Sequence, residues 1–495
     1  MIIKRIGVES CMRKKICGVL NSSKNIFLRV EKLIIKNKKK VVIGLSVFLV
    51  VFISVFSFIN LRYPTKINAY IAHVINKGEP ANSYFDDENF YKAVVDAYNK
   101  ENNTSLSYTT NLTDEQLKSI KSVSYWGNQK SDSEKIRSTT GIEKLTALTY
   151  LYLGWNNLSS IDLSNNISLT YLHLHNNNLS SIDLSKNTNL TKLELYSNNL
   201  SSINLSNNIF LTYLNLGNNK ISSIDLSKNN SLTELKLYAN NLSSIDLSKN
   251  TYLTYLDLDS NKLSSIDLSK NTNLTFLGLR SNKLSSIDLS KNTNLTSLGL
   301  RSNKLSSIDL SKNTFLTYLY LENNELSNID LSKNTKLTNL QLYNNPLKLN
   351  AYVKENGTLT SSSIKMPEGS DKFYLTYEIE DNSIANFADN RLNGLKVGKT
   401  SSTVTLNGVK ASSSSTENMK VDGTITVFDR LKGDISNDDK ITIADVSLLY
   451  RHVRGTKVIE DSKTLEISDL TGDGKITIAD VAKLYRYVRG KITEL

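Results

Sequence analysis

Two stretches near the carboxyl end, 35 residues apart, set oxygen-bearing side chains at matching intervals. Loop positions one, three, five, nine and twelve are Asp434, Ser436, Asp438, Thr442 and Asp445 in the first stretch, and Asp469, Thr471, Asp473, Thr477 and Asp480 in the second. The backbone carbonyls of Lys440 and Lys475 fall at position seven. Ca²⁺ is a hard cation that takes six to eight oxygen ligands, and this is the ligand rhythm of a twelve-residue calcium loop. Two bound Ca²⁺ ions are therefore expected. Gly474 supplies the tight turn of the second loop, where the first has Asp439, and Ser436 and Thr471 stand where Asn or Asp ligates more strongly, so the first site is expected to be the weaker.

Elsewhere the chemistry is sparse. His173 and His175 lie two apart, which puts both on one face of a strand. With no third His, Cys or well-placed carboxylate identified, they read as surface residues. No paired-carboxylate cleft or nucleophile motif stands out, so no catalytic residue is assigned.

The element that dominates the chain is a repeat of 21 residues, L-T-x-L-x-L-x-x-N-x-L-S-S-I-D-L-S-K-N-T-x, whose first leucine recurs ten times from Leu148 to Leu337. The Leu-x-Leu alternation predicts a short parallel strand per copy with both leucines inward, followed by an asparagine turn; stacked copies build an asparagine ladder from Asn156 to Asn345. No copy can bury its own leucines, so the array must be one cooperative solenoid. The pattern resembles leucine-rich repeats. An Asp column on the returning leg, as in Asp183 and Asp246, is matched by Lys three residues on and reads as a solvated ladder. Variation concentrates on the outward strand positions, which form a concave ligand face: Tyr150, Tyr152, Tyr171, His173, Tyr196, Tyr213, Tyr238, Tyr255, Phe276, Arg280, Arg301, Tyr318 and Tyr320, with Trp155 near one end. Exposed aromatics suit a protein hot spot or a sugar ring equally.

Each calcium loop runs into the same sequence, Ile-Ala-Asp-Val-x-x-Leu-Tyr-Arg. Asp in place of Glu at position twelve, and a single helix after each loop, set the pair apart from a calcium-sensor EF-hand. Residues 432–495 resemble a dockerin module. That resemblance implies a cohesin-bearing partner and maps the contact onto Ile443, Ala444, Tyr450 and Arg451, and onto Ile478, Ala479, Tyr485 and Arg486. Because both copies carry the same residues, either helix could dock after a half-turn of the module.

The flanks complete a multidomain chain of 495 residues. Twelve Lys/Arg against two Glu give residues 1–40 a net charge near +10, so almost all of the formal +12 is local and a nucleic-acid role loses its support. Residues 41–59 carry no charge and would span roughly 28 Å as a helix. A single transmembrane signal anchor is expected, with residues 1–40 cytoplasmic and the bulk extracellular at the cell surface, or secreted if that segment is cleaved. Cys11 and Cys17 both precede it, so no disulfide framework is expected outside. Residues 62–147 read as linker and amino-terminal repeat cap, with an amphipathic helix over Phe85–Asn102; residues 148–348 hold the repeats. Residues 349–428 alternate in short runs and suggest a small antiparallel β-sandwich, weakly resembling a bacterial immunoglobulin-like domain and serving as a spacer.

Together these readings point to a non-catalytic surface binding protein whose solenoid takes a protein or glycan ligand and whose tail docks to a cohesin, in an assembly connected with polysaccharides. The alternatives are a dockerin-borne polysaccharide-degrading enzyme and a purely structural spacer.

Overall fold

The computed structural model describes residues 84–355, 357, 359–428, 432–438, 440–471, 474–490, 492 and 495. The expected basic tail and transmembrane helix lie outside the described residues. Among the described residues no helix is long and apolar enough to cross a membrane.

The cap begins with α1 (Glu88–Asn102), three residues later than the apolar pattern suggested. Asp87 accounts for the start: its Oδ1 accepts the Asn89 and Phe90 amides, while its Oδ2 accepts the Arg137 amide at 2.7 Å and so ties the helix to the loop that leads into the first repeat. Phe90, Val94 and Val95 on its inner face are fully buried. A short α2 (Asp114–Ser119) follows, closed by a capping box between Thr113 and Gln116. The strand β1 (Ser122–Ser124) then pairs in parallel with β2 (Tyr150–Tyr152).

From β2 the solenoid advances one strand per copy: β3 (Tyr171–His173), β4 (Lys192–Glu194), β5 (Tyr213–Asn215), β6 (Glu234–Lys236), β7 (Tyr255–Asp257), β8 (Phe276–Gly278), β9 (Ser297–Gly299) and β10 (Tyr318–Tyr320). The two-residue β11 (Ile329–Asp330) lies on the returning leg, and β12 (Asn339–Gln341) ends an eleven-stranded parallel sheet, about 48 Å across at the usual strand spacing. Each copy buries its leucines almost completely, as Leu148, Leu151, Leu153, Leu158 and Leu163 show in the first.

Turn amides and carbonyls are satisfied by the asparagine ladder. Asn177 accepts the Leu158 amide on Oδ1 at 3.0 Å and donates from Nδ2 to the Leu153 and Leu174 carbonyls, and the same bonds recur copy by copy. A second fully buried asparagine column, Asn166 to Asn334, does comparable work on the opposite edge: Asn187 donates to the carbonyls of Leu163 and Asn166. The Asp column is a row of turn residues. Each carboxylate accepts the amide of the serine two positions on; at Asp246 this bond, from Ser248 at 2.9 Å, keeps the carboxyl ionised at lower pH than an ordinary Asp.

Residues 349–428 differ from the expected antiparallel sandwich. Strands β13 (Leu349–Lys354), β14 (Leu359–Ser362), β16 (Tyr374–Ile379), β19 (Gly398–Lys410) and β20 (Asn418–Phe428) form one sheet in the order β14-β13-β20-β19-β16. It is mixed, because β13 runs parallel to β20. A separate hairpin of β17 (Ala385–Ala388) and β18 (Arg391–Gly394) accompanies it, and β15 (Ile364–Lys365) pairs with β11 of the last repeats. Leu349, Val353, Phe373, Val404 and Ile425 belong to the same apolar core as the repeat leucines. The segment is thus a carboxyl-terminal lid on the solenoid, where a spacer was expected: an open last repeat would leave its leucines wet, and this sheet covers them.

The tail has a separate core of Ile435, Val446, Leu449, Leu470, Val481 and Leu484. Its helices are α3 (Ile443–Val453), α4 (Ser462–Ser468) and α5 (Ile478–Val488). The intervening α4 was not expected from the sequence; Asp461 caps it through the Thr464 amide at 2.8 Å.

Candidate binding faces and calcium loops

In the first loop Asp434 and Asp445 are fully buried, and a carboxylate oxygen from each lies within 4.8 Å of one from Asp438. Asp445 accepts the Ser436 and Thr442 amides at 2.9 and 2.7 Å, which fixes the loop around it and places Thr442 as the N-cap of α3. The second loop repeats the arrangement: Asp480 accepts from Leu470, Thr471 and Thr477, and Asp469 accepts from Gly474. Burial by itself would raise the pKa of Asp480, but these donated amides and the Thr471 hydroxyl outweigh it, and the carboxyl stays ionised at lower pH than an ordinary Asp. Asp473 and Asp439 lie outside the described residues. Converging carboxylates taken out of water are costly unless a cation offsets them, so the donor set fits Ca²⁺, with the Lys440 and Lys475 carbonyls available at position seven.

The two following helices bring their apolar residues to one place. Ile443, Val446 and Tyr450 of α3 and Ile478, Val481 and Tyr485 of α5 line a single shallow depression. Both isoleucines are 58% exposed, an unusual state for so apolar a side chain. Ala444, Arg451, Ala479 and Arg486 are exposed and do not line it.

On the solenoid, the outward strand positions form a continuous but uneven face. Its amino-terminal half is aromatic: Tyr150 stacks on Tyr171 at 5.6 Å, His173 lies against both Tyr152 and Tyr171 at 5.3 Å, and His175 stacks on Tyr196 at 4.5 Å. Lys192 sits over Tyr171, and Lys236 lies between Tyr213 and Tyr255. Gly217 leaves the room that the Tyr238 ring occupies, since a Cβ there would come within 2.3 Å of it. The Tyr255 and Phe276 rings are parallel at 4.1 Å. Beyond them the face turns polar, with Asp257, Asp259, Arg280, Arg301 and Glu322. Burial, then the neighbouring Asp257, push Asp259 up to about 6 although Arg280 pairs with it at 3.9 Å. Tyr318 and Tyr320 close the row, and Tyr320 carries the Arg280 guanidinium 4.7 Å from its ring centre. Trp155 sits in the turn after β2 with a left-handed φ of 63°, off the strand row.

Sequence reasoning missed one member of this face and one pairing on it. Trp126, 59% exposed, packs edge-on to Tyr152 and extends the aromatic half over the cap; its strand lacks the repeat consensus, so the repeat pattern did not reach it. Glu194 stands beside His173 across the sheet. That neighbour was readable, because the two differ by one repeat length.

The architecture defines a leucine-rich-repeat solenoid joined to a small module of two paired loop-and-helix units. Residues 432–489 match the model of the dockerin type I domain. The chain is 37% identical over 85 residues to internalin J of Listeria monocytogenes serotype 4b (strain F2365), a stretch that is 17% of this chain and 8% of that protein. Among solved structures, an internalin (inlF) from L. monocytogenes str. 4b F2365 is similar at 29% identity and a TM-score of 0.43, over 54% of this chain and 85% of that one. The functional domain of InlJ from L. monocytogenes is similar at 25% identity and a TM-score of 0.34, over 70% and 98%.

Proposed function

We propose that this is a non-catalytic binding protein whose repeat face holds a protein ligand while its dockerin-type tail docks, in a calcium-dependent way, to a cohesin-bearing partner. The observation that carries this reading is the duplicated apolar face on the two loop-bearing helices. Exposed Ile and Tyr in a shallow depression are what a partner buries at the centre of an interface. Asp434, Ser436, Asp438, the Lys440 carbonyl, Thr442 and Asp445 would hold one Ca²⁺, and Asp469, Thr471, Asp473, the Lys475 carbonyl, Thr477 and Asp480 the other. Bound calcium neutralises the loop carboxylates; the chain's own contribution is to orient α3 and α5 so that Ile443, Tyr450, Ile478 and Tyr485 face one way.

Because both copies share one depression, both helices are expected to touch the partner at once. The alternation of tyrosines with Lys192, Lys236 and Arg280 on the repeat face supports a protein ligand with acidic and apolar groups. The charge step before residues 41–59 supports placing the repeats and the tail outside the cell, held by one membrane helix.

Calorimetry of the full-length chain against a purified type I cohesin, with calcium and then with chelator, tests the docking. Chelator-sensitive binding that is weakened by Ile443→Asp and equally by Ile478→Asp is expected. If each single change is tolerated and only the pair abolishes binding, the helices dock alternately; calcium-independent binding, or none, sinks the reading. A glycan array probed in parallel would displace the protein-ligand reading if a polysaccharide is retained by the repeat face and lost in Tyr213→Ala.

A further inference from the structure

We propose that His173, His175 and Glu194 form a binding site for a divalent transition-metal ion, of which Zn²⁺ is the type, on the aromatic half of the solenoid face. Only four histidines occur in the chain, and two of them alternate along this one strand row. Glu194 is brought alongside by the in-register pairing of β3 with β4, which sets it opposite His173. One candidate ligand atom from each of the three residues lies within 4.8 Å of the other two.

The imidazoles are held as ligands are held. His175 is 4% exposed, its ring lying over Gly154, where an added Cβ would come within 2.6 Å of it, and against Tyr196. Its Nε2 lies 3.3 Å from the Tyr152 hydroxyl, while its Nδ1 is buried with no hydrogen-bond partner. His173 has Nδ1 at 3.6 Å from Glu194 and a buried, partnerless Nε2. A neutral imidazole has one donor and one acceptor nitrogen, and buried polar atoms normally find partners. The stacked tyrosines cover the ring faces and leave the in-plane lone pairs free. Coordination of a metal by Nδ1 of His175 would let Nε2–H donate to Tyr152, the outer contact that ordinarily fixes a ligand's orientation.

Two histidines and one glutamate are the donor set of three-ligand zinc sites that keep a position open. Imidazole with one carboxylate selects borderline cations over Ca²⁺ or Mg²⁺, which separates this site from the calcium loops. Tyr150 and Tyr171 lie against the His173 ring, so an ion held here would sit within the aromatic part of the face. Two like charges act on the site, Lys192 on His173 and Lys236 together with Lys192 on Glu194, whose carboxylate opposes them.

The test is a titration of the full-length chain, saturated with calcium to occupy the tail loops, with zinc chloride by calorimetry and with cobalt chloride by visible absorption. One zinc equivalent and the strong visible bands of a low-coordinate cobalt site are expected. His175→Gln and His173→Gln should each weaken that equivalent by at least about tenfold. Glu194→Gln, at a partly buried position on the outward side of its strand, should weaken it too with an unchanged far-ultraviolet spectrum. His452→Gln, in the tail, should leave it intact. No zinc equivalent under calcium saturation, or one of equal affinity in the His173/His175 double variant, overturns the proposal and leaves water as the partner of these nitrogens.

Discussion

A single amide side chain carries much of each repeat's turn. Replacing Asn261 by Ala removes the acceptor of the Leu242 amide and the donor to the carbonyls of Leu237 and Leu258, all buried. Leaving such groups unpaired costs about 2–3 kcal/mol in total, which urea denaturation of the variant would register as a lower midpoint. Asp246→Ala, which loses one exposed turn bond, should move the midpoint much less. A different residue-scale effect belongs to Ala239, held at a φ of 51° in the turn where the other copies use Asn or Ser, apart from Trp155 in the first. Glycine there is expected to stabilise by up to about 1 kcal/mol, by relieving the left-handed penalty. Asp259 gives the face a pH dependence. Its ordinary pKa of 3.8 is pushed up to about 6, so the folded chain binds a proton more tightly than the unfolded one, and stability falls as pH rises from about 4 to about 6 and stays lower above that. Asp259→Asn should raise the melting temperature at neutral pH and flatten its change across that window.

Elements differ in how far their sequence announces them. The strands and ladders of the solenoid were legible because a 21-residue period fixes which residues are neighbours without any knowledge of the fold. The duplication of the two loops ahead of α3 and α5 was legible for the same reason, the second copy repeating the spacing of the first. The lid was not: its decisive feature, the parallel pairing of β13 with β20, joins segments about 70 residues apart that no repeat relates, and alternation alone cannot distinguish a mixed sheet from an antiparallel one. The same limit hid α4, a seven-residue helix with little periodicity of its own. The shared core makes the lid testable. A chain ending at residue 348 should melt lower and less cooperatively than one ending at residue 428, as followed by circular dichroism. The loss of residues 432–495 should leave the solenoid's transition where it was, because the tail has its own core.

At the scale of the whole molecule, two separate cores predict two unfolding transitions. Chelation should lower only the one belonging to residues 432–489, and calcium should raise it in proportion to the logarithm of its concentration, as for any ion that binds a folded state and not the unfolded one. Calorimetric scans with and without chelator would show this; a single transition shifted as a unit would mean that the cores are coupled. The uniformity of the solenoid also bears on how such a chain changes over generations. Residues 271–291 and 292–312 differ only at Phe276 and Ser297. Every ladder bond links positions at fixed offsets, so gain or loss of one whole unit by unequal crossing-over leaves each remaining amide and leucine with an equivalent partner. Length is therefore a heritable variable that folding does not police, and selection can lengthen or shorten the outward strand face, adding or deleting an arginine such as Arg280 or Arg301, in a single genetic event.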